Sequence, residues 1–377
     1  MTAKTATGRK GGTQTVPDVQ RGGVHEGPDR VKALLLYGTD TIYPLLGRAL
    51  GVEHYTLGSD PMQDIAIASP FVSARHCRLY PTHSGLKVVD QKSKNGVYFE
   101  GRRKQSFEIA PGQTFFVGAR SHQLLALSER MQAHYPALAA ILGYEDEHVI
   151  QSETPSPSEL IVAAVDGPHM LITSEPRCEQ EQLARIIHEI SLLCERPLVA
   201  IDHAPGRQDL EHDLIQHRAA TVLLNLHDNA ARLPATFTAR LFSWRYQTRV
   251  IALASTVEVA SAALGERHVK KMKHIWLEPL SGRAKAIHRL LDLAFRERGS
   301  TLRVAAMTAH NQAALRGHPW AGNFASLHQA ADRLMVIAQH DSLRGAARIL
   351  EMKHNTLTNW YKEIMQLKQP LLARRTL

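Results

Sequence analysis

The sequence predicts a multidomain chain with an α/β middle and an α-helical end, and three observations carry that reading. Its 377 residues suffice for two or three domains, each burying its own core. Short apolar runs at Met170–Thr173, Pro197–Ile201, Ala220–Asn225 and Arg249–Ala254 read as buried strands, with Gln182–His188 reading as a helix between the first two. Strands alternating with helices argue a parallel sheet. Over residues 336–377, two short helical segments flank a break.

Composition narrows the class. The net charge of +9 and pI near 9.5 point to an acidic partner, nucleic acid being the commonest. Cys77, Cys178 and Cys194 show neither metal-ligand spacing nor a disulfide framework, so no metal site is expected and a reducing cytoplasm is. No run approaches the roughly eighteen apolar residues that span a bilayer, and no signal-peptide core opens the chain, so no membrane partner is expected. Residues 1–31, rich in Gly, Thr and charge, read as a disordered tail. Residues 131–160, which include the Pro- and Ser-bearing stretch Gln151–Glu159, read as a linker.

The most specific motif lies in residues 69–101, SPFVSARHCRLYPTHSGLKVVDQKSKNGVYFEG, where Ser73-x-x-His76 precedes Asn95-Gly96 by about twenty residues. Around it stand, in order, Tyr55-Thr-Leu-Gly58, Asp64-Ile-Ala-Ile67, Asp90, Ser93, Gly101 and Gly112-Gln-Thr-Phe-Phe-Val-Gly118. Residues 34–128 thereby resemble a forkhead-associated (FHA) domain. The resemblance implies a small all-β sandwich whose loops bind phosphothreonine peptides. The Ser73 hydroxyl is then expected to donate to phosphate and the Asn95 amide to hold the peptide backbone, with Gly96 permitting the turn. Two positions depart from the family pattern: its phosphate-gripping Arg stands as Ser59, and the residue before Gly101 is Glu100. Arg75 and Lys94, in the flanking loops, are expected to supply the missing charge. The expected phosphopeptide site is Ser59, Ser73, Arg75, Lys94, Asn95 and Gly96, with His76 a buried scaffold residue.

At the other end, Asp341–Leu350 reads as a helix capped by Asp341 or Ser342, and His354–Met365 as a second helix after a break at Glu351–Lys353. Ala346 and Ala347 allow close crossing, and Met352, Leu357 and Ile364 fill the wedge. The order Ala346, Ala347, Met352, Thr356, Leu357 resembles a Fis-type helix-turn-helix, with Glu351 where the turn glycine is usual. The resemblance implies a double-stranded DNA reader, dimeric on two half-sites. Lys353, His354, Asn355, Thr358, Asn359 and Lys362 are expected in the major groove. Seven Lys/Arg against three Asp/Glu over residues 336–377 agree with that.

Between these ends, residues 160–335 resemble the AAA+ domain of sigma-54 enhancer-binding proteins, through the strand order above, Leu277-Glu-Pro-Leu280 and the lid motif His318-Pro-Trp-Ala-Gly-Asn323. The family's phosphate loop needs glycines and a Lys. Here the segment is Ser174-Glu-Pro-Arg-Cys-Glu-Gln-Glu181, with Ser174, Arg177 and Glu179 for glycines and Gln180 for the Lys. The acidic pair after the Ala220 strand stands as Asn225-Leu226, and the sigma-engaging loop is missing between Asp213-Leu-Ile-Gln216 and Ala220. A catalytically dead, cofactor-free pseudo-ATPase is expected. His227-Asp228 reads as a strand-end loop rather than a metal or acid–base pair.

The expected layout is an FHA sandwich at 32–130, an AAA+-like α/β domain at 161–292, a helical lid at 293–335 and the helix-turn-helix at 336–377. The expected function is a bacterial, cytoplasmic, nucleoid-associated transcriptional regulator, homodimeric or larger, that receives a phosphothreonine or other protein signal. The alternatives are a phosphothreonine-dependent scaffold and a nonstandard ATP-dependent sigma-54 activator.

Overall fold

The computed structural model describes residues 30–39, 41–45, 53–144, 154–203, 219–228, 231–243, 245, 247–340, 342–366 and 370–372. The expected tail up to residue 29, Gln151–Glu153 of the linker, the Asp213–Gln216 segment and Asp341 lie outside the described residues.

Two sheets face each other at the N-terminal end. One holds β1 (Ala33–Leu36), β2 (Thr41–Pro44), β7 (Val97–Phe99), β8 (Arg102–Arg103), β10 (Thr114–Val117) and β11 (His122–Leu127), in the order β2-β1-β11-β10-β7-β8. The other holds β3 (Tyr55–Gly58), β4 (Ile65–Ala66), β5 (Cys77–Pro81), β6 (Leu86–Asp90) and β9 (Ser106–Ile109), in the order β4-β3-β5-β6-β9. Leu57, Leu79, Val88, Val97, Phe115 and Leu124 fill the space between. This is the expected sandwich.

β1 and β11 are buried on both faces, and the alternation of their side chains says why. Leu34, Leu36, Leu124 and Ala126 face the sandwich core, while Ala33, Leu35, Leu125 and Leu127 join a second core shared with the rest of the chain. The element that covers that outer face is α1 (Glu129–Leu142), whose N-cap Ser128 accepts from Met131 N–H and whose chain leaves through Gly143 at φ 64°. Where the linker was expected, residues 131–142 therefore belong to a packed helix. Met131, Tyr135, Leu138, Ile141 and Leu142 bury one side of this helix against the sandwich and the next domain. The linker reading also fails at Ser156-Pro-Ser-Glu159, a capping box with Pro157 in the first turn that opens α2 (Pro157–Asp166).

A parallel sheet follows: β12 (Met170–Ser174), β13 (Leu198–His203), β14 (Thr221–Leu226), β15 (Arg249–Ala254) and β16 (Lys273–Leu277), in the order β13-β14-β15-β12-β16. One face carries α1, α2 and α3 (Gln180–Glu189). The other carries α4 (Ala235–Leu241), α5 (Val257–Leu264) and α6 (Glu266–Val269) over a core of Val222, Leu224, Val250, Phe237 and Leu241. Arg249 is 2% exposed and donates to the carbonyls of Ala163, Ala164 and Pro168, closing the C-terminus of α2 with a cation. Burial lowers its pKa to about 10, which still leaves it charged at neutral pH.

The C-terminal third is helical: α7 (Ile287–Glu297), α8 (Ala309–Gly317), α9 (Asn323–Ala338), α10 (Leu343–Ile349) and α11 (His354–Met365). The expected borders at 292/293 and 335/336 each fall inside a helix, α7 and α9. Leu334 and Ile337 of α9 share one core with Leu357, Tyr361 and Met365 of α11, so the last two helices pack onto α9.

Candidate functional site

Three loops of the sandwich meet at one end. The end of β3 comes so close to the β4–β5 loop that a Cβ on Gly58 would lie 2.0 Å from the Ala74 carbonyl oxygen, which is why glycine stands there. Next to it, Ser59 N–H donates to Ser73 O at 3.0 Å. His76, fully buried, ties the second loop to the third. Its Nδ1 accepts from Ser73 N–H at 3.0 Å, which makes Nε2 the protonated nitrogen that donates to Gly96 O at 3.1 Å. Burial, chiefly, holds its pKa below the ordinary value, so the neutral tautomer this bridge requires is also the favoured one.

The third loop is braced from beneath. Ser93 N–H donates to the buried Asp90 carboxylate, Gly96 N–H donates to Ser93 Oγ, and Arg103 reaches Ser93 O. Gly96 sits at φ 73°, over the Arg103 side chain. Sequence reasoning did not single out Arg103; no spacing signal marks it, because its partner is a backbone carbonyl.

Ser73, Arg75, Lys94, Asn95, Gly96 and Ser59 are thus brought together, though not all in the roles expected. Ser73 Oγ accepts from Lys94 N–H at 3.1 Å, which leaves the hydroxyl proton to donate outward. Asn95 Nδ2 donates to Phe71 O at 2.8 Å; a carbonyl only accepts, so the amide nitrogen must face it. The free end of Asn95 is therefore its Oδ1 acceptor, fit for a peptide N–H. Arg75 and Lys94 are exposed and form no ion pair among the described residues. Phe71, 52% exposed, adds an apolar edge that the sequence could not distinguish from a core aromatic.

The end of β12 presents a different picture. Arg177 adopts φ 66°, the left-handed conformation that favours glycine, and its carbonyl accepts from Phe324 N–H at 3.0 Å. Asn323 of the lid motif donates to Pro176 O at 3.1 Å and to Glu175, while its Oδ1 accepts from Leu280 N–H. Gln180 turns inward and donates to Ile172 O and Ala254 O across the tips of β12 and β15. Glu179, buried, pairs with the buried Arg283 at 2.8 Å, and Arg283 also donates to Ile141 O at the end of α1. Asn225 is exposed; His227 pairs with Asp202 and Asp228 accepts from Ser255, so the two neighbours engage separate partners. Among the described residues no cluster of three or more His, Cys, Asp or Glu stands ready for a metal.

At the C-terminus, Ser342 caps α10 by accepting from Gly345 N–H. Ala346 and Ala347 lie buried against Leu357, Tyr361 and Ile364, and Glu351 makes the turn at φ 50°. Lys353, His354, Asn355, Asn359 and Lys362 are exposed, and Thr358 is half-buried beside His354 at 3.4 Å. His354, Asn355, Asn359 and Lys362 lie on the exposed side of α11, with Thr358 at its edge, and Lys353 is the N-cap residue that precedes the helix.

The FHA domain family matches residues 55–118. Residues 55–118 are an FHA domain. No curated protein matches the chain. Among solved structures, EmbR of Mycobacterium tuberculosis in complex with a low-affinity phosphopeptide is 21% identical over 25% of this chain and 24% of its own, with a TM-score of 0.23. Slr1951 of Synechocystis sp. is 24% identical over 26% of this chain and 94% of its own, with a TM-score of 0.23. NtrX of Brucella abortus in complex with ADP is 14% identical over 55% of this chain and 67% of its own, with a TM-score of 0.39. No helix among the described residues is long and apolar enough to cross a membrane.

Proposed function

We propose that this protein is a DNA-binding transcriptional regulator, in which the FHA domain receives a phosphothreonine-bearing partner and a catalytically dead AAA+-like domain joins it to the DNA reader. The observation that carries the reading is the outer face of α11. A helix held by Leu357, Tyr361 and Ile364 presents His354, Asn355, Asn359 and Lys362 to solvent, with Lys353 at its N-cap and Thr358 half-buried at the edge, the donor and acceptor set that reads base edges and phosphates. A single short helix gives little affinity, so a dimer on two half-sites is part of the proposal.

At the FHA loops, the Ser73 hydroxyl with Arg75 and Lys94 forms the phosphate-binding set, and Asn95 Oδ1 takes a peptide N–H. The loop after β12 supports the pseudo-ATPase reading. Gln180 cannot supply the Lys charge and spends its amide on the Ile172 and Ala254 carbonyls, and Asn323 ties the loop at Glu175 and Pro176 O. The protein then does not open sigma-54 promoters by remodelling polymerase; it works by occupying DNA or by recruitment. Genome-wide mapping of bound DNA tests the proposal. Wild type should enrich one two-fold motif, and Asn359→Ala should relax it at the base it reads.

A further inference from the structure

A cleft of about 1010 Å³ opens beside α4 and α6. His169, directly before β12, and Lys271, shortly before β16, line it, which puts it at the opposite end of the sheet from the loop after β12. We propose that this cleft binds a phosphate-bearing small molecule, with Arg232, Arg267 and Lys271 holding the phosphate and Phe242 and His268 supporting the organic part.

The charge argument is specific. Among the described residues the three cations carry no ion pair, and the one acid on the wall, Glu266, is paired with Lys270 at 2.6 Å. Arg232 Nη2 packs close to Gly265, 3.3 Å from where a Cβ on that residue, at φ 89°, would lie. His268 is held below its ordinary pKa by burial and then by Arg267 and Lys271, and His169 by burial and then by Arg249 and His268. Both imidazoles are therefore neutral at pH 7, in a cleft whose field is positive, and an anion is the ligand that relieves it.

Shape gives the rest. Phe242 stacks on His268 with centroids 4.4 Å apart at 18°, and His169 meets Phe242 edge-on at 4.9 Å. Leu233, Ala239 and Leu264 make an apolar floor. The volume matches the upper range of small-molecule pockets, and a concave floor admits such a ligand where it would exclude a duplex. Guanidinium pairs fit phosphate by two parallel hydrogen bonds.

The test is calorimetric titration of the full-length protein, without magnesium, with inorganic pyrophosphate, phenyl phosphate and, as a non-phosphate trianion, citrate. Both phosphates should bind wild type more tightly than citrate. Arg232→Ala and Arg267→Ala should each weaken them roughly tenfold, while Arg296→Ala, exposed on α7 away from the cleft and the FHA loops, should change nothing. Absence of phosphate binding at millimolar concentration overturns the proposal. So do affinities indifferent to Arg232 and Arg267, an equal loss with Arg296→Ala, or citrate binding as tightly.

Discussion

Ser59 and His76 set the properties of the FHA loops. Ser59 stands half-buried with its N–H on Ser73 O, so a longer side chain at 59 would run beside the Ser73 hydroxyl. Ser59→Arg should tighten a phosphothreonine peptide by about 1.5–3 kcal/mol, because it adds a charge-assisted, forked contact; calorimetry against wild type checks this, and an unchanged affinity counts against a phosphate site there. His76 carries the pH dependence. Its folded pKa is lowered, so the unfolded chain binds the proton more readily, and stability present above about pH 6.5 is lost as pH falls toward the folded value. Protonation also turns Nδ1 into a donor facing the Ser73 N–H. Denaturant melts between pH 7.5 and 5 should show a decline that is shallower in His76→Gln. The placement of Ser73, Arg75 and Lys94 in adjoining loops and the burial of His76 were legible from their spacing. The engagement of Asn95 Nδ2 by Phe71 O was not, since a side-chain-to-carbonyl bond across two loops leaves no pattern in sequence.

Among elements, the second helical pair was the most legible: α11 spans His354–Met365 as the apolar spacing implied, and Ser342 provides the cap. Glu351 occupies the left-handed turn where glycine is usual, a strained choice for a residue with a Cβ. Glu351→Gly should raise stability by about 0.5–1 kcal/mol with DNA contacts intact; a melt in which it is neutral or destabilising would mean that Glu351 compensates through another interaction. α1 was misread as linker because it holds Pro136 and its apolar positions serve two partners at once, the sandwich and the parallel sheet, so no single face stands out. The capping box at Ser156 and Glu159 was present in the sequence, and the prolines and serines around it hid it.

At the scale of the whole molecule, continuity of packing is the main feature the sequence did not disclose. β1 and β11 lend one face to the sandwich and the other to α1, and Arg283 joins the end of α1 to Glu179 at the start of α3. Gly112, at φ 83°, lets the sandwich touch α2, where a Cβ would fall 2.3 Å from Val165 Cγ2. Contacts between distant segments follow from no local period, whereas four of the five strands of the parallel sheet could be read locally as short apolar runs. Millimolar ATP with magnesium should leave the melting temperature unchanged and release no phosphate, since a ligand stabilises only by preferring the folded state. A magnesium-dependent shift with turnover abolished by Gln180→Ala would contradict the pseudo-ATPase reading.

The last two helices share their core with the lid, so deleting 336–377 would unsettle α8 and α9, and point substitutions on α11 are the cleaner probe of the central claim. The most direct measurement is the affinity of full-length protein for its mapped duplex as a function of salt. Binding should weaken steeply with salt. Asn359→Ala should cost about 1–3 kcal/mol on the mapped site and little on unrelated duplex, and Lys362→Ala should weaken both and reduce the salt slope by about one. Salt-independent binding, or affinities that neither substitution changes, would contradict DNA recognition by this helix.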